Sequence, residues 1–169
     1  MNVRARVAAA IAASLTLGAI ALPAAAQSKI DLAIFHPERN FWTMAIKFWI
    51  DEVDKATQGR VKIVPHYAGA LVSVNETLKS VRDGAVPAGN ASMGAVSGQI
   101  PAVAILEAIG GMPDDAAKFI EASNAMRPVL EDLFRKQNVE MLWSQGSGPL
   151  IVVCRDRHMK SVADWKGRR

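Results

Sequence analysis

The chain is poor in the residues that cross-link, chelate or cleave. It has one cysteine, Cys154, in 169 residues, so no intramolecular disulfide can form. Cys154 ends the apolar run P-L-I-V-V-C, where a thiol is ordinarily a small buried side chain and not a reactive one. Its three histidines, His36, His66 and His158, show no i, i+4 spacing and no Cys/His cluster, so no metal site is expected. No G-x-S-x-G elbow, phosphate-binding loop or paired-carboxylate signature is present, and no cofactor is implied. Basic residues occur singly or in pairs beside acids such as Asp51, Glu52 and Asp54, not as the one-sided stripe that nucleic acid requires. After the first 26 residues there is also no internal repeat and no low-complexity linker.

What is present begins with a leader. Residues 1–26 carry Arg4 and Arg6, then an uncharged run rich in Ala, Leu and Ile, then Pro23 and Ala24-Ala25-Ala26. This is the basic, apolar and small-residue order of a secretory signal peptide. The rival reading is an uncleaved anchor, but Val7 to Leu22 is short for a membrane span. Cleavage near Gln27 would leave an exported chain with 18 basic and 16 acidic residues, a formal charge of +2 where the full sequence has +4.

Beyond the leader, periodicity changes from segment to segment. Lys29–Phe35 alternates as a strand, with Ile30, Leu32 and Ile34 on one face. Asn40 is placed to cap a helix from Phe41 to about Thr57 whose stripe is Trp42, Ala45, Ile46, Trp49, Ile50 and Val53. Gly59 ends that helix, and R-V-K-I-V reads as a second strand stopping at Pro65. A β-α-β start favours parallel strands. Further on, the pattern predicts a helix over 74–82, a third strand over 88–93, and a buried helical stretch within 98–112. Asp114-Asp115 then supply acidic first-turn residues for a helix through about Ala125, and another helix runs from Pro128 to about Gln137. V-E-M-L-W and L-I-V-V-C read as two last strands. The closing S-V-A-D has the spacing of a capping box, with Asp in place of Glu. The fold class is α/β.

His36 and His66 each follow a strand-like segment beside a proline, which puts them at strand ends, where parallel α/β sheets hold ligands. Ser147 lies in S-Q-G-S-G between two predicted strands, not at a strand-to-helix turn, so a serine nucleophile is disfavoured. An exported α/β chain without catalytic signatures suits binding of a small molecule without transforming it.

Several blocks then carry a resemblance: L-A-I-F-H-P, W-T-M-A-I-K-F-W-I-D-E-V-D-K-A-T-Q-G-R-V-K-I, Y-A-G-A-L, N-E-T-L-K-S-V-R-D-G-A and S-V-A-D-W-K-G-R-R. In this order and spacing the chain resembles the periplasmic substrate-binding proteins of tripartite ATP-independent periplasmic (TRAP) transporters, dicarboxylate-type family. The resemblance covers essentially all of the chain after the leader. It implies a periplasmic-binding-protein-like clamshell of two α/β lobes that encloses a small organic acid and delivers it to membrane permease subunits. Members run to about twice this length, the range of two domains. The implied division is 1–26 signal peptide, 27–148 first lobe, and 149–169 crossing strand and start of a truncated second lobe.

Position by position, the resemblance implies ligand contacts at Phe35 and His36 after the first strand, and at Asn40 and Trp42 at the start of the helix. It implies the same for Ser92, Met93 and Gly94 at the end of the third strand, and for Ser147 and Gly148 before the crossing strand. Two departures stand out. Relatives that bind carboxylates often carry an arginine early in the crossing strand, whereas P-L-I-V-V has no charge before Arg155. The arginine that clamps a ligand carboxylate in the family would fall just past Arg169.

The expectation is therefore a periplasmic, non-enzymatic receptor for a small organic acid, less anionic than a dicarboxylate. Its binding should be impaired by truncation, and it should expose an apolar face. The competing expectations are a receptor of an ATP-driven importer, a sensor domain, a complete small structural protein, and an exported serine hydrolase using Ser147 with His36 or His66.

Overall fold

The computed structural model describes residues 27–108, 110–146 and 160–166. The leader, Cys154, His158, Ser147, Gly148 and the L-I-V-V-C strand expectation lie outside the described residues.

The chain opens with strand β1 (Ser28–Ile34), helix α1 (Phe41–Ala56) and strand β2 (Val61–His66). Helix α2 (Thr77–Arg82), strand β3 (Ala88–Asn90) and a short helix α3 (Met93–Val96) follow. A 3-10 helix over Pro101–Glu107 then leads to helix α4 (Ala116–Arg135), and a second 3-10 turn covers Val162–Trp165. The three strands form one parallel sheet in the order β2-β1-β3, with Leu32 opposite Pro65 on one side and opposite Ala88 on the other. Right-handed β-α-β crossovers favour this parallel arrangement.

Local chemistry explains α1. The Asn40 side chain accepts the Trp42 backbone N–H at 2.9 Å, satisfying one of the free donors of the first turn. Ile46 is buried against Leu32, Ile34 and Ile63, with Trp49, Ile50 and Val53 packed around them. The expected stripe is right except at Ala45, which is exposed; Thr43 is buried in its place. Thr43 tolerates full burial because its hydroxyl donates to the Pro37 carbonyl at 3.0 Å. A second core gathers Leu78, Val96, Ile100, Val103, Leu130 and Phe134.

Several expectations are corrected. Strand β2 does not stop at Pro65 but runs through it to His66. As an edge strand of the described sheet, β2 can lose one ladder donor without breaking it. Helix α2 begins at Thr77, not Val74, and the third strand ends at Asn90, before Ser92. The described residues of the 98–112 stretch form a 3-10 helix and loop, and of their apolar side chains only Ile100 and Val103 are buried, since the short turns present only part of their surface to the core. The two helices expected around Pro128 are one. Pro128 and Asn124 are both exposed, so the carbonyl that loses its partner reaches water, while Leu130 and Phe134 hold the next turns on the core.

V-E-M-L-W is not a strand. Val139, Met141 and Trp143 are half-buried and their neighbours exposed, so the alternation is real. Each of the three packs into a core, but the backbone joins no ladder of the described sheet. Arg127 fastens the segment instead, donating to the Leu142 carbonyl at 2.9 Å. The capping box is present as read: Asp164 accepts the backbone N–H of Ser161 at 2.9 Å, and Ser161 receives the Asp164 backbone N–H.

Candidate functional site

The C-terminal ends of β1 and β3, the start of α1, helix α4 and segment 138–146 enclose a cavity of about 810 Å³. This is the volume of a small-molecule site, at the strand ends where parallel sheets hold ligands. Its apolar wall includes the indoles of Trp42, Trp49 and Trp143 and the ring of Phe119. Trp49 and Trp143 stand 6.1 Å apart between ring centroids. The polar lining includes His36, Asn90, Glu107, Glu140, Ser144 and Gln145, and among the described lining residues there is no lysine or arginine.

His36 projects from the end of β1 between Phe35, 3.9 Å away centroid to centroid, and Trp42, stacked at 6.3 Å. Burial holds its imidazole below the ordinary value of 6.5, favouring the neutral ring. The loop after β2 folds back on this strand end: Ala68 N–H donates to the His36 carbonyl at 2.9 Å and Gly69 N–H to the Ile34 carbonyl at 3.0 Å. Asn90 Oδ1 and Gln145 Oε1 are buried with no hydrogen-bond partner among the described residues. An unpaired buried amide oxygen costs about 1–3 kcal/mol, which makes both amides candidates for reorientation toward a ligand.

Glu107 is held at three points. Its Oε1 accepts the Met93 backbone N–H at 2.8 Å, and the Ser92 hydroxyl lies 3.0 and 3.1 Å from its two oxygens. A Cβ on Gly94 would come 2.5 Å from Glu107 Oε2, so a side chain there would push the exposed carboxylate from this position.

Of the residues singled out in the sequence, His36, Trp42 and Met93 lie on the cavity wall. Phe35, Asn40, Ser92 and Gly94 are not among its described lining residues. The physical reasons differ. Phe35 covers the back of His36, Asn40 is occupied as the α1 cap, and Ser92 and Gly94 hold Glu107. With the third strand ending early, Ser92 is the residue before α3, and Met93 and Gly94 are its first turn.

Sequence reasoning did not find Trp49, Asn90, Glu107, Trp143 or Gln145 as wall residues. Glu107 had one signal, as the sole charge between Gly98 and Met112. Asn90 stood in the right strand, two residues before the one chosen. His66, the other strand-end histidine, lies off the described wall, with its Nε2 2.7 Å from Asp31 Oδ1. Among the described residues no group of three or more His, Cys, Asp or Glu side chains could hold a metal, and no helix is long and apolar enough to cross a membrane.

Solved structures similar to this chain include solute receptors. An extracytoplasmic solute receptor of Bordetella pertussis that binds pyroglutamic acid is 26% identical, with a TM-score of 0.56 over 65% of this chain and 36% of its own. A second pyroglutamic acid receptor of Bordetella pertussis is 22% identical, with a TM-score of 0.58 over 69% and 38%. A TRAP periplasmic solute-binding protein of Ochrobacterium anthropi with bound L-fuconate is 15% identical, with a TM-score of 0.58 over 66% and 37%. The chain thus matches little more than a third of the length of these relatives, as part of their mixed α/β architecture. No curated protein matches the sequence. The family model of bacterial extracellular solute-binding proteins, family 7, matches residues 32–169, and the chain belongs to that family.

Proposed function

We propose that the chain captures a small organic acid outside the cytoplasm and presents it to the membrane permease subunits of a TRAP-type secondary transporter. In this reading residues 1–26 are a cleaved export signal, 27–148 form most of the first lobe, and 149–169 begin the crossing to a second. The observation that carries the reading is the aromatic cavity at the strand ends of a chain of this family.

The division of labour follows from the wall. The indoles of Trp42, Trp49 and Trp143 desolvate the carbon skeleton of the ligand, and the amides of Asn90 and Gln145 offer fixed polar contacts. Neutral His36 supplies one more hydrogen-bonding edge without charge. The described wall holds no cation to meet the carboxylate of the ligand. Closure of two lobes would bring such a cation and exclude water, strengthening the ion pair. The chain catalyses nothing in this reading. The serine hydrolase alternative draws no support from His66, which is bonded to Asp31 away from the cavity.

The 26% identical relative binds pyroglutamic acid, which makes pyroglutamate the first probe, with sugar acids such as L-fuconate beside it. Titration of the full chain, followed by tryptophan fluorescence and calorimetry, is expected to show saturable but weak binding of at least one acid over its uncharged amide. No response to any acid at millimolar concentration, or turnover of an ester probe, would overturn the proposal.

A further inference from the structure

The carboxylate of Glu107 is fixed on the cavity wall. Met93 N–H at 2.8 Å and the Ser92 hydroxyl at 3.0 and 3.1 Å hold it, and Gly94 leaves it the space. Among the described lining residues the other acid is Glu140, and none carries a positive charge. Resting on the proposed reading that this cavity takes an organic acid, we infer that Glu107 sets which acids enter. It rejects a second carboxylate and accepts a neutral hydrogen-bond donor, such as an amide N–H or a hydroxyl, at the end of the ligand facing this lobe.

The reasoning is electrostatic and steric together. A dicarboxylate lying in the cavity would bring its inner carboxylate against a like charge that is already anchored and has no cation beside it among the described residues. An amide or hydroxyl in the same place meets an acceptor. Oε1 already takes the Met93 N–H and shares the Ser92 hydroxyl, while Oε2 has only that shared hydroxyl, which leaves it lone pairs to spare. Because three contacts fix the carboxylate before a ligand arrives, little side-chain freedom is lost on binding. Specificity of this kind is built as much by the repulsion as by the new bond.

The test uses matched pairs on the full chain at low ionic strength, where screening is weakest: succinate against succinamate and glutarate against glutaramate, each pair differing only in carboxylate or amide. The half-amide of each pair is expected to bind about tenfold more tightly than the dicarboxylate, a factor kept modest because Glu107 is exposed and solvent screens its charge. Glu107→Gln keeps an oxygen for Met93 and Ser92 but removes the charge, and should bring the ratio close to one. Glu107→Ala removes the charge without adding an amide, and should abolish the preference equally if the Gln variant melts early. The inference is overturned if wild type binds each dicarboxylate as tightly as its half-amide, or if a folded variant keeps the wild-type ratio. It is also overturned if neither half-amide binds while another organic acid does. Failure of every acid to bind overturns the receptor reading as well, and so is distinct from failure of this inference alone.

Discussion

Trp49 of α1 and Trp143 of the irregular segment after α4 face each other with ring centroids 6.1 Å apart and planes tilted by 46°. The pair joins two parts of the chain that share no backbone ladder and forms one corner of the cavity. Tilted aromatic pairs contribute about 0.5–1.5 kcal/mol beyond their buried area. Trp143→Ala is therefore expected to destabilise by about 2 kcal/mol, adding the lost burial of a half-buried indole. Amide exchange in 139–146 should accelerate while that of β1 changes little; equal acceleration in both would contradict the local role given to the pair.

The acid limb of stability should depend on Asp31. The hydrogen bond from His66 and then that from Lys29 hold its carboxyl below the ordinary 3.8. A depressed folded value means the unfolded chain takes up the proton first. The contribution is thus fully present above 3.8 and is lost as pH falls through the lower folded value. Asp31→Asn should flatten the dependence of the melting temperature on pH below about 4. Since the group is exposed the effect is small, and an unchanged acid limb would remove the pair from the account.

Asn40 tests whether a residue at the mouth of the site acts on structure or on ligand. Its side chain is engaged with Trp42 N–H at 2.9 Å, and it is absent from the described wall. Asn40→Ala should lower unfolding free energy by about 1 kcal/mol, the usual effect of losing such a cap. Asn40→Asp or Asn40→Ser should restore most of it. A loss that neither restores would point to a role other than capping.

Helix α2 lies so close to β3 that a Cβ on Gly89 would come 2.5 Å from Thr77 Cγ2 and 3.3 Å from Val81 Cγ2. Thr77 cannot turn aside, because it is buried and its hydroxyl donates to the Ser73 carbonyl at 3.0 Å. Gly89→Ala should cost about 1–3 kcal/mol, the range for overpacking. Thr77→Ser, which keeps the hydroxyl and deletes the offending methyl, should relieve part of that cost. Additive effects in the double variant, measured by chemical denaturation, would rule out the contact as the cause.

Pro128 interrupts α4 on an exposed face without ending it. Restoring the missing backbone bond with Pro128→Ala should stabilise the protein by about 1–3 kcal/mol, the helix gain less the entropy returned to the unfolded chain. A neutral or negative change in chemical denaturation would mean that the ring makes contacts that outweigh the bond.

The sequence by itself determined the features whose causes lie within a few residues. The Asn40 cap, the α1 stripe, the parallel β1–β2 pair and the Ser161–Asp164 capping box depend on i to i+4 neighbours or on a period of two, and each was legible. The family, too, was legible from the order of short blocks. Tertiary structure decided the rest. The same half-buried alternation serves a strand or an unpaired segment, so V-E-M-L-W could not reveal that its backbone would join no ladder of the described sheet. Pro128 stops a helix only if the freed carbonyl has no water and the following turns have no core to hold them. The wall of the cavity was least legible of all. Trp143 meets Trp49 from 94 residues away, and Glu107 reaches Ser92 from 15. Local periodicity carries no information about such pairs, because only the packing of α1, α4 and β3 around one space brings them together.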